Sequence, residues 1–71
     1  MELLNHQIEN QVIEHTYVIQ HPSEGVLYYK EWVSADRGKF IDCTLRSKGG
    51  YEIDDPTIME QVQEFVDNLI G

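Results

Sequence analysis

Two polar stretches, HPSEG at 21–25 and SADRG at 34–38, each end in glycine and cut the middle of this chain into segments of strand character. A type I turn closed by a left-handed glycine makes a three-residue hairpin loop, and Ser23-Glu24-Gly25 and Asp36-Arg37-Gly38 both fit that pattern. Loops this short join antiparallel neighbours, so the expectation is a three-stranded antiparallel β-meander with strands at about 11–21, 26–34 and 39–47. A register follows. Pro22 pairs with Val26 and Ala35 with Lys39, which sets Ile19 against Tyr29, Tyr17 against Glu31, Val33 against Ile41 and Tyr29 against Leu45.

Side chains alternate between the faces of a strand, so this register sorts the residues. One face collects Ile13, His15, Tyr17, Ile19, Leu27, Tyr29, Val33, Ile41, Cys43 and Leu45, and is the expected core face. The other carries Glu14, Thr16, Val18, Gln20, Val26, Tyr28, Lys30, Trp32, Phe40, Asp42, Thr44 and Arg46. That second face is polar but studded with aromatic rings.

The cover for the core face is legible in DDPTIMEQVQEFVDNLIG. Ile58, Val62, Phe65, Val66, Leu69 and Ile70 recur at helical spacing, with Glu60, Gln61, Glu64, Asp67 and Asn68 on the other side. Asp55 suits the cap, Pro56 the first helical position and Gly71 the end, which predicts a C-terminal α-helix over about 56–70. Ahead of it, Gly49-Gly50 reads as a flexible joint, with Tyr51 and Ile53 alternating into the core edge. Residues 1–10, MELLNHQIEN, admit a short helix, because Leu4 and Ile8 lie four apart, or an extension of the first strand. The fold class expected is α+β, with 1–71 forming one small domain.

Charge narrows the partners. Thirteen acidic residues against five basic ones give a formal net charge of -8, which disfavours nucleic acid and anionic membrane as bulk partners. The five bases, Lys30, Arg37, Lys39, Arg46 and Lys48, all fall between 30 and 48, whereas 49–71 holds six acids and no base, so the molecule is expected to be electrically two-sided. No apolar run is long enough for a membrane span, and the first residues lack the basic start of a signal peptide. With a lone cysteine, Cys43, the expected location is the cytoplasm.

Four constellations are candidates for chemistry or binding. Tyr17, Glu31 and Cys43 fall in one expected cross-strand row, with His15 diagonal to Glu31, an arrangement that fits a nucleophile or a structural polar cluster. The helix should cover that row, so the expectation is a non-enzyme with no catalytic residues, no metal, no cofactor and no small-molecule substrate. His15 and His21 lie six residues apart on one strand, about 20 Å, too far to share an ion. The acidic helix face of Glu60, Glu64 and Asp67 reads as solvated surface, or as a mimic of nucleic-acid phosphate. The fourth constellation is the outward sheet face, where Tyr28, Trp32 and Phe40 beside Lys30 and Arg46 combine the residue types that anchor protein interfaces.

Were residues 1–10 helical, the order helix, three strands, helix would resemble a double-stranded RNA-binding domain in topology. Such domains carry lysines at the start of the last helix, where this chain has YEIDDPTIMEQ, which would repel phosphate. A three-stranded sheet backed by one helix is also similar to plant-type and integrase-arm domains that read DNA with the sheet, and the bases of strands two and three suit that use. The sequence favours a small acidic interaction module of bacterial or phage type, an inhibitor or adaptor. It would bind a protein partner, a second copy of itself included, through the outer sheet face or an edge strand. A nucleic-acid binder using Lys30, Arg37, Lys39, Arg46 and Lys48 is the alternative from another class.

Overall fold

The computed structural model describes residues 1–9, 13–34 and 40–70. Four strands, β1 (Glu2–Glu9), β2 (Ile13–His21), β3 (Gly25–Val33) and β4 (Phe40–Ser47), are followed by one helix, α1 (Pro56–Ile70). The strands lie in the order β1-β2-β3-β4, each antiparallel to its neighbour, so the fold is α+β with a meander. Among the described residues no helix is long and apolar enough to cross a membrane.

The sheet has one strand more than the sequence pattern indicates. Residues 2–9 form neither a helix nor an extension of the next strand but a separate edge strand, which removes the topology resembling a double-stranded RNA-binding domain. A β-bulge explains why the strand was hidden. Leu3 pairs with Ile19 and Asn5 with Val18, leaving Leu4 as an extra residue. The residues paired with the core-face positions of β2 are therefore Leu3, His6 and Ile8, whose spacing of three and then two masks a period of two.

The first hairpin closes one residue earlier than expected. His21 pairs with Gly25 around a Pro22-Ser23-Glu24 loop, so Tyr17 faces Tyr29 and Ile19 faces Leu27, instead of Glu31 and Tyr29 respectively. Proline has no N–H to give a ladder and belongs in the loop. His21 then completes the turn: its Nδ1 accepts from the backbone N–H groups of Ser23 and Glu24, both at 3.1 Å, and from the Ser23 hydroxyl at 3.2 Å. Gly25 takes the positive φ of 78° that re-enters the strand. Moving the loop by one residue moves each partner by two, so both faces keep the residues expected of them.

Between β3 and β4, Tyr29 faces Leu45 as the pattern indicates. Nearer the second hairpin a bulge intervenes. Trp32 pairs with Asp42 and Val33 with Phe40, so Ile41 is the extra residue and the expected Val33 to Ile41 pairing does not form. The Asp36-Arg37-Gly38 loop, Gly71, and the side-chain directions of Phe40 and Ile41 lie outside the described residues. After β4, residues 47–50 turn back with Gly50 at φ 84°, and 51–53 run beside β4 through Ile53 N–H to Leu45 O at 2.9 Å and an Arg46–Glu52 bridge. Ile53 packs on the core as expected, but Tyr51 does not: it is 77% exposed, its ring close to Gly49.

Helix α1 starts as its sequence dictates. Asp55 Oδ1 accepts from Thr57 N–H at 2.9 Å and from Ile58 N–H at 3.4 Å, meeting amides that have no intrahelical acceptor. Its apolar stripe sets Val62 and Val66 on Tyr17, Ile19, Leu27, Tyr29 and Leu45, the fully buried core, flanked by Leu3, Cys43, Ile53, Ile58, Met59 and Phe65. Leu69, placed by periodicity in the stripe, is exposed. Among the described residues His21 is the buried polar one, and its Nε2–H donates to Gln61 Oε1 on the helix at 2.9 Å.

One imidazole thus ties the hairpin tip to the helix. His21→Ala removes the acceptor of two turn amides and the donor to Gln61, and is expected to cost roughly 2–4 kcal/mol in urea denaturation. A loss below about 0.5 kcal/mol, the ordinary surface range, would contradict that role.

Candidate interaction surface

With α1 on one side, the opposite face of the sheet has no covering element among the described residues. The ladders fix what it presents. Thr16, Lys30 and Thr44 form one cross-strand row; Val18, Tyr28 and Arg46 form the next on one side; Glu14, Trp32 and Asp42 form the next on the other. Thr16, Tyr28, Lys30, Trp32, Thr44 and Arg46 line a depression of about 330 Å³.

The polar groups around it have distinct partners. Trp32 Nε1–H donates to Glu14 Oε1 at 2.9 Å, and Lys30 Nζ lies 3.5 Å from the same oxygen and 5.9 Å from the Trp32 ring centre. Glu14 therefore holds the indole and offsets the ammonium together, which is ordinary cross-strand packing for that half of the depression. Arg46 donates to the Gly50 carbonyl at 3.2 Å and is exposed, and among the described residues no carboxylate pairs with it. Tyr28 is 39% exposed. Of the residues singled out by sequence, Tyr28, Lys30, Trp32 and Arg46 thus meet at one depression. The Phe40 side chain, with Arg37 and Lys39, falls outside the described residues.

On the core face the polar row is recomposed. His15 faces Glu31, which faces Cys43, and Tyr17 moves out of the row to face Tyr29. No hydrogen bond joins His15, Glu31 and Cys43 to one another among the described residues. Cys43 Sγ instead accepts from Gln63 Nε2 of the helix at 3.5 Å. Burial first, then the Glu31 and Cys43 charges, push the Tyr29 hydroxyl well above its ordinary range. Tyr29, Glu31, Gln63 and Asp67 line a cleft of about 350 Å³ in which burial, and next the Asp67 carboxylate, raise the Glu31 carboxyl above 4.5.

The edge strand brings in a residue that the sequence left unplaced. His6 stacks on Tyr17 with ring centres 4.2 Å apart, and its Nε2 lies 2.8 Å from His15 Nδ1. The His6 and His15 centres are 5.1 Å apart, little more than that N–N distance plus two ring radii, so these two rings meet end to end rather than face to face. A hydrogen bond here needs at least one neutral ring. Burial, and then the His15 charge, lower the His6 pKa from 6.5. Only the pairing of β1 with β2 could have revealed this contact. Among the described residues no three His, Cys, Asp or Glu side chains gather in a way that would hold a metal ion.

Glu60, Glu64 and Asp67 are exposed on α1, and Asp67 alone of them borders the Glu31 cleft. The free edge of β1 exposes Leu4 and Ile8, but carries the Leu4 bulge and the exposed Glu2, devices that discourage edge pairing. No protein-family model, curated protein or solved structure matches the chain. The class that the fold and surface define is therefore an α+β domain with a four-stranded antiparallel sheet covered by a helix on one face.

The Glu31 and His6 shifts act in opposite directions on stability. Glu31 binds its proton more tightly folded than unfolded, so its contribution to stability falls as pH rises from 4.5 through the folded value. Glu31→Gln is expected to raise the urea midpoint at neutral pH and to match the wild type well below pH 4.5. A pH-independent difference would assign the effect to packing instead. His6 binds its proton less tightly when folded, so its contribution is complete above 6.5 and declines as pH falls through the lower folded value. His6→Gln should flatten that decline, read by amide exchange along β1; an unchanged decline would exclude the histidine pair as its source.

Proposed function

We propose that this chain is a cytoplasmic, non-enzymatic interaction module of bacterial or phage type that binds a protein partner through the outer sheet face, as an inhibitor or adaptor. The observation that carries the reading is the depression of about 330 Å³ on the uncovered face, where Tyr28 and Trp32 stand on either side of Lys30, with Arg46 next to Tyr28. Aromatic rings and arginine are the side chains that most often dominate binding energy at protein interfaces. Alternating with threonine hydroxyls, they offer apolar contact and hydrogen bonds to one extended segment or one flat surface. The guarded edge of β1 makes the face the better candidate than the edge. Glu14 and Asp42 on the same face work against a nucleic-acid backbone.

The test is selection of a random peptide library on the immobilised protein, followed by amide shift mapping of the peptides obtained. Bound peptides should shift amides of β3 and β4. They should lose at least about tenfold in affinity on Tyr28→Ala and Trp32→Ala, each with unchanged circular dichroism. Peptides that map to the helix, or that bind both variants as well as wild type, would overturn the assignment.

A further inference from the structure

We propose that the occupant of the outer face is a second copy of this chain, packed sheet on sheet about a two-fold axis that runs across the strands at the level of Lys30. The inference rests on the reading of this face as a contact surface, and it names the partner. A two-fold interface brings one patch onto itself, so the patch must be self-complementary. Along β3 and β4 this one is. The row of Glu14, Trp32 and Asp42 lies on one side of the Thr16-Lys30-Thr44 row, and the row of Val18, Tyr28 and Arg46 on the other.

Two in-plane axes are available to a face-to-face pair. An axis along the strands lays the acidic row on the acidic row, which like charges oppose. An axis across the strands keeps each strand over its own copy and exchanges its ends. Asp42 then meets Arg46 of the second copy about Thr44, and Trp32 meets Tyr28 about Lys30, an aromatic pair of the kind that stabilises interfaces. Lys30 comes opposite its own copy, but Glu14 already offsets each ammonium within its own chain at 3.5 Å. Aligned sheets cross at about 30°, so the axis tilts by roughly 15° from the perpendicular.

The size is adequate. Four strands about 4.8 Å apart, with about eight residues at about 3.3 Å each, give a face of roughly 500 Å² in plan. Side-chain relief brings it toward the roughly 800 Å² per partner of a standard interface. Each copy carries a formal net charge of -8, so general repulsion opposes the pair at low salt. It fades as the screening length shortens to about 8 Å at physiological ionic strength, and association should therefore tighten from low to moderate salt.

Sedimentation equilibrium from low micromolar to submillimolar protein tests the pairing. Wild type should show a monomer–dimer equilibrium at about 0.15 M salt. Arg46→Asp and Asp42→Arg should each weaken it by at least about tenfold, and the double exchange should return it to within about threefold of wild type. Circular dichroism and thermal midpoints check that each variant folds; should Arg46→Asp fail to fold, Asp42→Arg alone still reads the contact. A wild type that stays monomeric overturns the pairing, and if its selected peptides still map to β3 and β4, the interaction reading stands without it. A dimer indifferent to either reversal, or one that the double exchange does not restore, also overturns it.

Discussion

A single amphipathic helix covers one face of a sheet and no more, and that constraint organises everything else in this molecule. α1 sets Val62 and Val66 on a floor of Tyr17, Ile19, Leu27, Tyr29 and Leu45, and these seven residues are the whole of the buried apolar core among the described residues. Large rings do much of the filling. Tyr17 and Tyr29 pair across β2 and β3 with ring centres 6.0 Å apart, so two tyrosines supply a volume that a longer chain would build from several aliphatic side chains.

The same constraint sorts the polar groups by helix coverage. Under the helix, polar atoms are engaged: His21 with Gln61 and Cys43 with Gln63. Among the described residues no buried side-chain nitrogen or oxygen lacks a partner. Cys43 is only half-buried in this network. On the open face the demands are looser, and hydroxyls, an ammonium and a guanidinium stand beside rings without being enclosed.

Much of this was legible in the residues themselves. The helix, its Asp55 cap and the two-face partition follow from periods of 3.6 and 2 and from the turn residues, and the depression-lining side chains follow from the partition. What escaped was local. The Leu4 and Ile41 bulges each add a residue that period counting does not anticipate, and Leu4 was enough to disguise a whole strand. Pro22 displaced the hairpin loop because a missing N–H outweighed the preferred place of glycine. The His6–His15 contact depended on that hidden strand, since residues nine apart meet there only across a ladder. Tyr51 defeated alternation at a turn, where backbone geometry rather than face decides exposure.

The His21 ring also bears on how the chain reaches its native state. Its Nδ1 is satisfied by residues two and three positions away, whereas its Nε2 waits for Gln61, forty positions on. A meander that formed without its helix would leave that N–H to water, at the end of a core face on which Ile19, Leu27, Tyr17 and Tyr29 also lay open. Such a sheet is a poor resting place. Hairpins and helix are thereby made to succeed or fail together, and a chain of 71 residues gains cooperativity from a contact between its middle and its end.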